Sequence, residues 1–83
     1  MTHAHVSSED LLSILNAALA QREECLDCTF VGPLQPRAEP YPDGGNWTRS
    51  LTVRGRPADP QACGEAAAEV IADVAARFNL ARN

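Results

Sequence analysis

Hydrophobic residues recur at spacings of three and four in the first quarter of the chain, where they define one face of a helix. These positions are Leu11, Leu12, Ile14, Leu15, Ala18 and Leu19. Such a stripe is typical of a helix that packs against a core. Ser7 is a suitable N-cap, because Asp10 occupies the acidic position of a capping box three residues later. The pattern predicts a helix that starts after Ser7 and ends at about Glu23 or Glu24.

Two segments in the middle of the chain favour β-strands. The first is Cys28–Val31, whose last two residues are β-favouring. The second is Trp47–Val53, in which apolar and polar residues mostly alternate at period two. Between them, residues 33–42 contain four prolines and are expected to be extended. They either add a third short strand or leave an exposed strand edge that pairs with a second copy of the chain.

A second helical pattern begins at Asp59-Pro60, which combines an acidic N-cap with proline at the first helical position. Its apolar face consists of Cys63, Ala66, Ala67, Val70, Ile71, Val74 and Phe78. Asn79 suits the end of the helix, with Leu80 folding back on the last turn. The pattern predicts a helix over most of the last third of the chain.

Together these elements predict an α+β fold of order α-β-β-α, an antiparallel β-hairpin with two helices packed on one face. We expect a flexible N-terminus at residues 1–6, a single domain at residues 7–80 and a C-terminal tail at residues 81–83. A chain of 83 residues is near the lower limit for a self-sufficient core. Two strands alone also make a marginal sheet, so we expect a homodimer that forms through the sheet.

Composition narrows the class of protein and its location. The net charge of −4 argues against a dedicated binder of nucleic acids or anionic membranes. All seven basic residues are arginine, which, with the many alanines, is typical of a GC-rich, bacterial genome. No segment has the roughly 20 apolar residues that span a bilayer. Glu9 and Asp10 precede the apolar run from Leu11, where a signal peptide has basic residues, so we expect a cytoplasmic protein.

The three cysteines are the first candidate for chemistry. The hairpin brings Cys63 near Cys25 and Cys28, and an odd number of cysteines suits a reducing compartment. Three interpretations remain open: reduced core residues, a redox site with a Cys25–Cys28 or Cys28–Cys63 disulfide, or a zinc site. Zinc needs a fourth ligand, from Asp27, Asp59, water or another chain.

The second candidate is the arginine-rich strand, with Trp47, Arg49, Arg54 and Arg56 and no acidic residue between them. Aromatic and arginine side chains together are typical of sites that bind single-stranded nucleic acid or anions. The alternative is a strand fringed by arginines with its tryptophan in the core. We expect any nucleic-acid binding here to be weak and sensitive to salt.

The sequence contains no serine–histidine–acid combination, no glycine-rich phosphate loop and no pair of catalytic carboxylates, so we do not expect an enzyme or a cofactor. We expect a small cytoplasmic binding or interaction protein that is homodimeric and does not contact membranes. The first alternative is a thiol-based redox sensor or zinc sensor that uses Cys25, Cys28 and Cys63. The second is weak binding of nucleic acid or anions through Trp47 and the strand arginines.

Overall fold

The computed structural model describes residues 3–81, which contain two helices and four short strands. In chain order these are β1 (Ala4–Val6), α1 (Ser8–Leu19), a turn of 3₁₀ helix (Glu23–Cys25), β2 (Thr29–Val31), β3 (Thr52–Arg54), α2 (Pro60–Arg77) and β4 (Phe78–Leu80). The predicted α+β class is confirmed. The order differs from the predicted α-β-β-α because one strand precedes α1 and another follows α2.

Helix α1 has the predicted N-terminus and ends earlier than predicted. The Ser7 hydroxyl accepts a hydrogen bond from the Asp10 backbone N–H at 3.1 Å, so the predicted N-cap is confirmed. The fully buried residues of the helix are Leu11, Leu15 and Leu19. The five residues after Leu19 include no large apolar side chain, so a longer helix would bury nothing more. Instead, the chain turns and the 3₁₀ helix brings Cys25 into the core.

Strands β2 and β3 form an antiparallel pair in which Thr29, Phe30 and Val31 lie opposite Arg54, Val53 and Thr52. Strand β3 is shorter than the predicted Trp47–Val53 strand. The prolines of residues 34–42 form no regular strand, and one isolated antiparallel bridge joins Pro36 to Trp47. Two backbone hydrogen bonds at this bridge, from Arg37 N–H to Asn46 C=O and from Thr48 N–H to Gln35 C=O, both at 2.8 Å, hold this loop together with the side-chain contacts described below.

Strands β1 and β4 form a separate parallel pair, with Ala4, His5 and Val6 opposite Phe78, Asn79 and Leu80. Residues 4–6 belong to the segment predicted to be flexible, and residues 78–80 to the predicted helix end. Each three-residue strand is too short to carry a periodic pattern, and each gains its backbone partners only from the other end of the chain. Residues 1, 2, 82 and 83, the outer parts of both predicted tails, lie outside the described residues.

Helix α2 begins as predicted, because the Asp59 carboxylate accepts hydrogen bonds from the Gln61 and Ala62 backbone N–H groups at 3.1 and 3.2 Å. Helices α1 and α2 pack against each other, and α1 also contacts β2 and β4. Trp47 is the largest fully buried side chain of the resulting core. Neither helix in residues 3–81 has the length and apolar character needed to cross a membrane.

Two buried asparagines connect the loop between β2 and β3 (residues 32–51) to β4. The Asn46 side chain accepts a hydrogen bond from Leu80 N–H at 2.8 Å and donates one to Leu80 C=O at 3.0 Å. Asn79 in turn accepts from the Asn46 backbone N–H at 3.2 Å and donates to Gly44 C=O at 3.0 Å. The Asn46 amide thus pairs with Leu80 as the backbone of a neighbouring strand would. It does so on the edge of β4 opposite to β1.

Candidate functional site

The outer edge of β2 is closed by a side chain from α1. Phe30 N–H donates to Asn16 Oδ1 at 2.7 Å, and Asn16 Nδ2 donates to Phe30 C=O at 3.3 Å. The N–H and the C=O of Phe30 therefore both point toward α1 and away from β3. A single asparagine amide replaces the strand that would otherwise pair here.

The outer edge of β3 is open. Phe30 lies directly opposite Val53, and in an antiparallel pair the two residues of a facing pair direct their peptide groups the same way, both inward or both outward. Since those of Phe30 point outward, the N–H and C=O of Val53 also point outward, on the far side of the sheet. Within residues 3–81 neither group has a hydrogen-bond partner. An unpaired donor and acceptor at an exposed edge form a template for another strand.

Apolar side chains lie beside this open edge. Val53 is on the same face of the sheet as the buried Phe30. Val53 and Leu51 are both partly buried and pack against the core. Thr52 and Arg54, which point to the opposite face, are exposed. A strand added at β3 would therefore cover the uncovered parts of Leu51 and Val53 as well as pair with the backbone.

The four residues of the predicted binding site, Trp47 and three arginines, lie in different places in the structure and do not form one surface. Trp47 is fully buried and its Nε1 donates to Phe78 C=O at 3.1 Å, so its indole has no face available for a nucleic-acid base. Arg54 and Arg56 are exposed at and just beyond the end of β3. Arg49 is part of the loop described next.

Arg49 is held by an acidic and an aromatic side chain. Its Nη2 lies 2.9 Å from both carboxylate oxygens of Asp43, and its guanidinium carbon lies 4.2 Å from the centre of the Tyr41 ring. Arg37 also stacks on that ring, at 4.0 Å. A hydrogen bond from Gly45 N–H, and then the bond from Arg49, lowers the pKa of Asp43 below its usual value. These contacts hold the loop together and neutralise the Arg49 charge.

Cys25 and Cys63 form a disulfide that joins the 3₁₀ helix to the first turn of α2. Their Cα atoms are 5.0 Å apart and both side chains are buried. The predicted approach of Cys63 to Cys25 is confirmed, but the pair differs from both predicted disulfides and from the reduced state. Cys28 is a free, buried cysteine. Its sulfur lies against Gly55, only 3.0 Å from where a Cβ of that residue would be.

The segment from Cys25 to Cys28 is a tight turn. Cys28 N–H donates to Cys25 C=O at 3.0 Å. Leu26 has φ −55° and ψ 136°, and Asp27 has a positive φ of 62°, as in a type II β-turn. Leu26 stands at the tip of this turn with 62 % of its surface exposed. The turn thus keeps Cys28 close to one end of the disulfide.

Zinc binding through three thiolates would require this disulfide to be reduced, because two of the three sulfurs are bonded to each other. Among residues 3–81, no three histidine, cysteine or acidic side chains are arranged to hold a metal ion. An open pocket of ≈ 560 Å³ lies elsewhere, and its lining residues are His5, Pro40, Gly44, Asn46, Asn79 and Ala81. The asparagine amides in its wall already bond to backbone groups.

Asn16, which decides which sheet edge stays open, is a residue that no sequence motif marks. Its one signal is position: Asn16 is a polar residue next to the apolar face of α1, four residues after Leu12 and three before Leu19. A polar residue placed there has a backbone partner when it is covered. The sequence does not reveal which strand supplies that partner.

Comparison of the chain with protein-family models, with curated proteins and with solved structures finds no match.

Proposed function

We propose that this protein is a non-catalytic interaction module that forms a homodimer by pairing β3 of one copy with β3 of a second copy. The observation that carries the proposal is the outward N–H and C=O of Val53, which have no hydrogen-bond partner within residues 3–81. Asn16 closes the opposite edge, so the hairpin has one side available for strand addition.

A two-fold axis at Val53 gives this pairing a consistent geometry. In an antiparallel arrangement, Val53 of each copy donates to and accepts from its counterpart. Arg54 then lies opposite Thr52 of the second copy, so no like charges face each other directly. The same surface serves both copies, which is the form of most symmetric dimers.

Dimerisation would also stabilise the two-stranded sheet of the single copy. An isolated two-stranded sheet is marginal, and the paired copies share a sheet of four strands. The second copy also covers Leu51 and Val53, which are only partly buried in one copy. The contact is a single strand pair, so we expect a small interface and an association that depends strongly on protein concentration.

Sedimentation velocity over a range of protein concentrations tests the proposal. Val53→Pro removes the outward N–H and replaces a side chain that packs against the core, and proline is tolerated on an edge strand. We expect the wild type to dimerise, Val53→Pro to remain monomeric with an unchanged circular dichroism spectrum, and the control Val53→Thr, which keeps the N–H, to dimerise. A wild type that stays monomeric at every concentration would contradict the proposal, as would a folded Val53→Pro variant that dimerises normally.

A cytoplasmic location is part of this proposal and is supported by the acidic residues Glu9 and Asp10 before the apolar stripe of α1. In a reducing compartment, disulfides are usually transient and take part in redox chemistry. Recovery of a tagged chain from the extracytoplasmic fraction of the producing cells would rule this location out.

A further inference from the structure

We propose that Cys25, Cys28 and Cys63 form an intramolecular thiol–disulfide exchange site, in which the Cys28 thiol attacks the Cys25–Cys63 disulfide at Cys25. The dimer plays no part in this proposal. It depends on the placement of a free thiol, a disulfide and a turn at one end of the domain.

Cys25 lies within disulfide reach of two partners. Its Cα is 5.0 Å from that of Cys63 in the existing disulfide. It is also the first residue of the type II turn that ends at Cys28, closed by the 3.0 Å hydrogen bond between their peptide groups. The ends of a β-turn lie within about 7 Å, and disulfides span roughly 4.4–6.8 Å between Cα atoms. Both pairings therefore suit the same backbone.

All three cysteines are buried, which favours attack from within the chain. Cys25, Cys28 and Cys63 have relative exposures of 1 %, 6 % and 3 %. An external thiol has little access to a disulfide buried to this degree, and reactivity depends on access as well as on thiolate formation. Cys28 is the only other cysteine of the chain and is already inside.

Hydrogen bonding holds the Cys28 side chain only weakly. Its thiol makes one weak hydrogen bond, to Leu26 C=O at 3.6 Å, and its sulfur otherwise packs beside Gly55. Sulfur is a poor hydrogen-bond donor, so this contact costs little to break. The exposed Leu26 at the tip leaves the turn room to adjust without uncovering the core.

The exchange is balanced without an oxidant or a reductant. Cys28 gives its proton to water, and the thiolate attacks Cys25 Sγ. The Cys25–Cys28 bond forms as the Cys25–Cys63 bond breaks, and the electron pair of the broken bond leaves on Cys63 Sγ. That thiolate then takes a proton from water, so the chain keeps one disulfide and one thiol.

The exchange changes what the disulfide constrains. In the present state it links residues separated by 38 positions and ties α2 to the 3₁₀ helix. After exchange it links the two ends of a single turn, and the first turn of α2 carries a free thiol in place of a cross-link. The site would thus convert a long-range constraint into a local one with no change in the overall oxidation state.

Peptide mapping of the folded protein locates the free thiol. The oxidised protein is incubated at about pH 8, then quenched in acid, unfolded and trapped with excess N-ethylmaleimide at mildly acidic pH, where exchange is slow. Trypsin, which cleaves after arginine but not before proline, places Cys25 and Cys28 in peptide 23–37 and Cys63 in peptide 55–77. The present disulfide leaves these peptides joined, with the maleimide on Cys28.

We expect incubation to produce separate peptides, with an internal disulfide in 23–37 and maleimide on Cys63. This product should appear faster at higher pH and be absent from Cys28→Ser, whose peptides stay joined and unlabelled. Maleimide found only on Cys28 at every pH would overturn the proposal. So would a predominant label on Cys25, which reports attack at Cys63, or an exchanged product that forms only in denaturant.

Discussion

The side-chain amide of Asn16 bonds to both peptide groups of Phe30, at 2.7 and 3.3 Å. Through this contact, one residue of α1 ends the sheet on the β2 side and leaves β3 as its free edge. The edge at which the sheet can be extended is thus set by a helix residue that bonds to the other strand.

Replacing Asn16 with alanine should destabilise the protein. Phe30 N–H and C=O lose their partner in a partly buried position, and an unsatisfied buried group costs about 1–3 kcal/mol. Urea denaturation of the variant is the measurement, with Ser13→Ala, at an exposed position of the same helix, as the matched control. Equal stability of the two variants would show that the amide does not close this edge.

Reduction of the Cys25–Cys63 disulfide should lower the free energy of unfolding by about 4 kcal/mol, as expected for a loop of this length. A core of this size supplies only ~3–5 kcal/mol, so the reduced chain should be close to unfolding. Thermal denaturation with and without reductant measures the difference. Cys28→Ser should respond to reductant as the wild type does, whereas Cys28→Ser/Cys63→Ser, which has a single cysteine, should not respond; the same response from all three proteins would exclude this pairing.

Two glycine substitutions should have opposite effects. Gly55 has φ +130°, and a Cβ there would lie 2.7 Å from Asp27 O, so Gly55→Ala should cost about 1–3 kcal/mol. Gly64 lies inside α2 with nothing within 4 Å of its Cβ position, so Gly64→Ala should gain about 1 kcal/mol of helix propensity. Guanidinium denaturation of both variants checks the signs. A neutral Gly55→Ala variant would mean that β3 and the cysteine turn do not approach this closely.

Arg49→Gln should raise the pKa of Asp43 only part of the way to the ordinary value of 3.8. The hydrogen bond from Gly45 N–H is the larger cause of its lowering and remains in the variant. Because the folded-state pKa is lowered, the stabilisation is present above the ordinary pKa and lost as pH falls below it through the folded value. NMR titration of the Asp43 carboxyl group tests this. A full return to 3.8 would assign the shift to Arg49 instead.

Both helix starts were predictable because their signals are local. Ser7 and Asp59 each bond to backbone groups two or three residues away, so their roles depend on adjacent sequence alone. The end of α1 was less predictable, because Arg22 and Glu23 favour a helix by propensity. That these polar residues add nothing to the core, so that the helix can end before them, is evident only once the core is known. The α+β class followed from these local patterns.

Strands β1 and β4 were not predictable from the sequence. Ala4 pairs with Phe78 across almost the whole chain, and three residues are too few to establish a periodicity of two. The pairing of the cysteines shows the same limit in another form. The expected topology predicts that Cys63 approaches Cys25 and Cys28 but not which of the two it bonds; in the structure Cys25 is bonded and the Cys28 sulfur lies beside Gly55.

The candidate binding strand was predicted only in part. The alternation from Trp47 correctly places that side chain in the core, as one of the two interpretations requires, but a buried indole is not a binding surface. The open edge at Val53 depends on Asn16 and on the register of β2 with β3, and neither is marked by a motif. Sequence patterns indicate which faces of a strand are apolar. The direction in which Val53 N–H and C=O point depends instead on the register of β2 with β3, which is known only from the structure.

The parallel pairing of β1 with β4 determines how the domain bears a mechanical load. The chain enters β1 at Ala4, beside Phe78, and leaves β4 at Leu80, beside Val6. A force applied to the two outer ends therefore pulls the strands past each other lengthwise. The hydrogen bonds of the pair, with the contact from Ala81 N–H to Val6 C=O, are loaded together in shear and do not open one at a time.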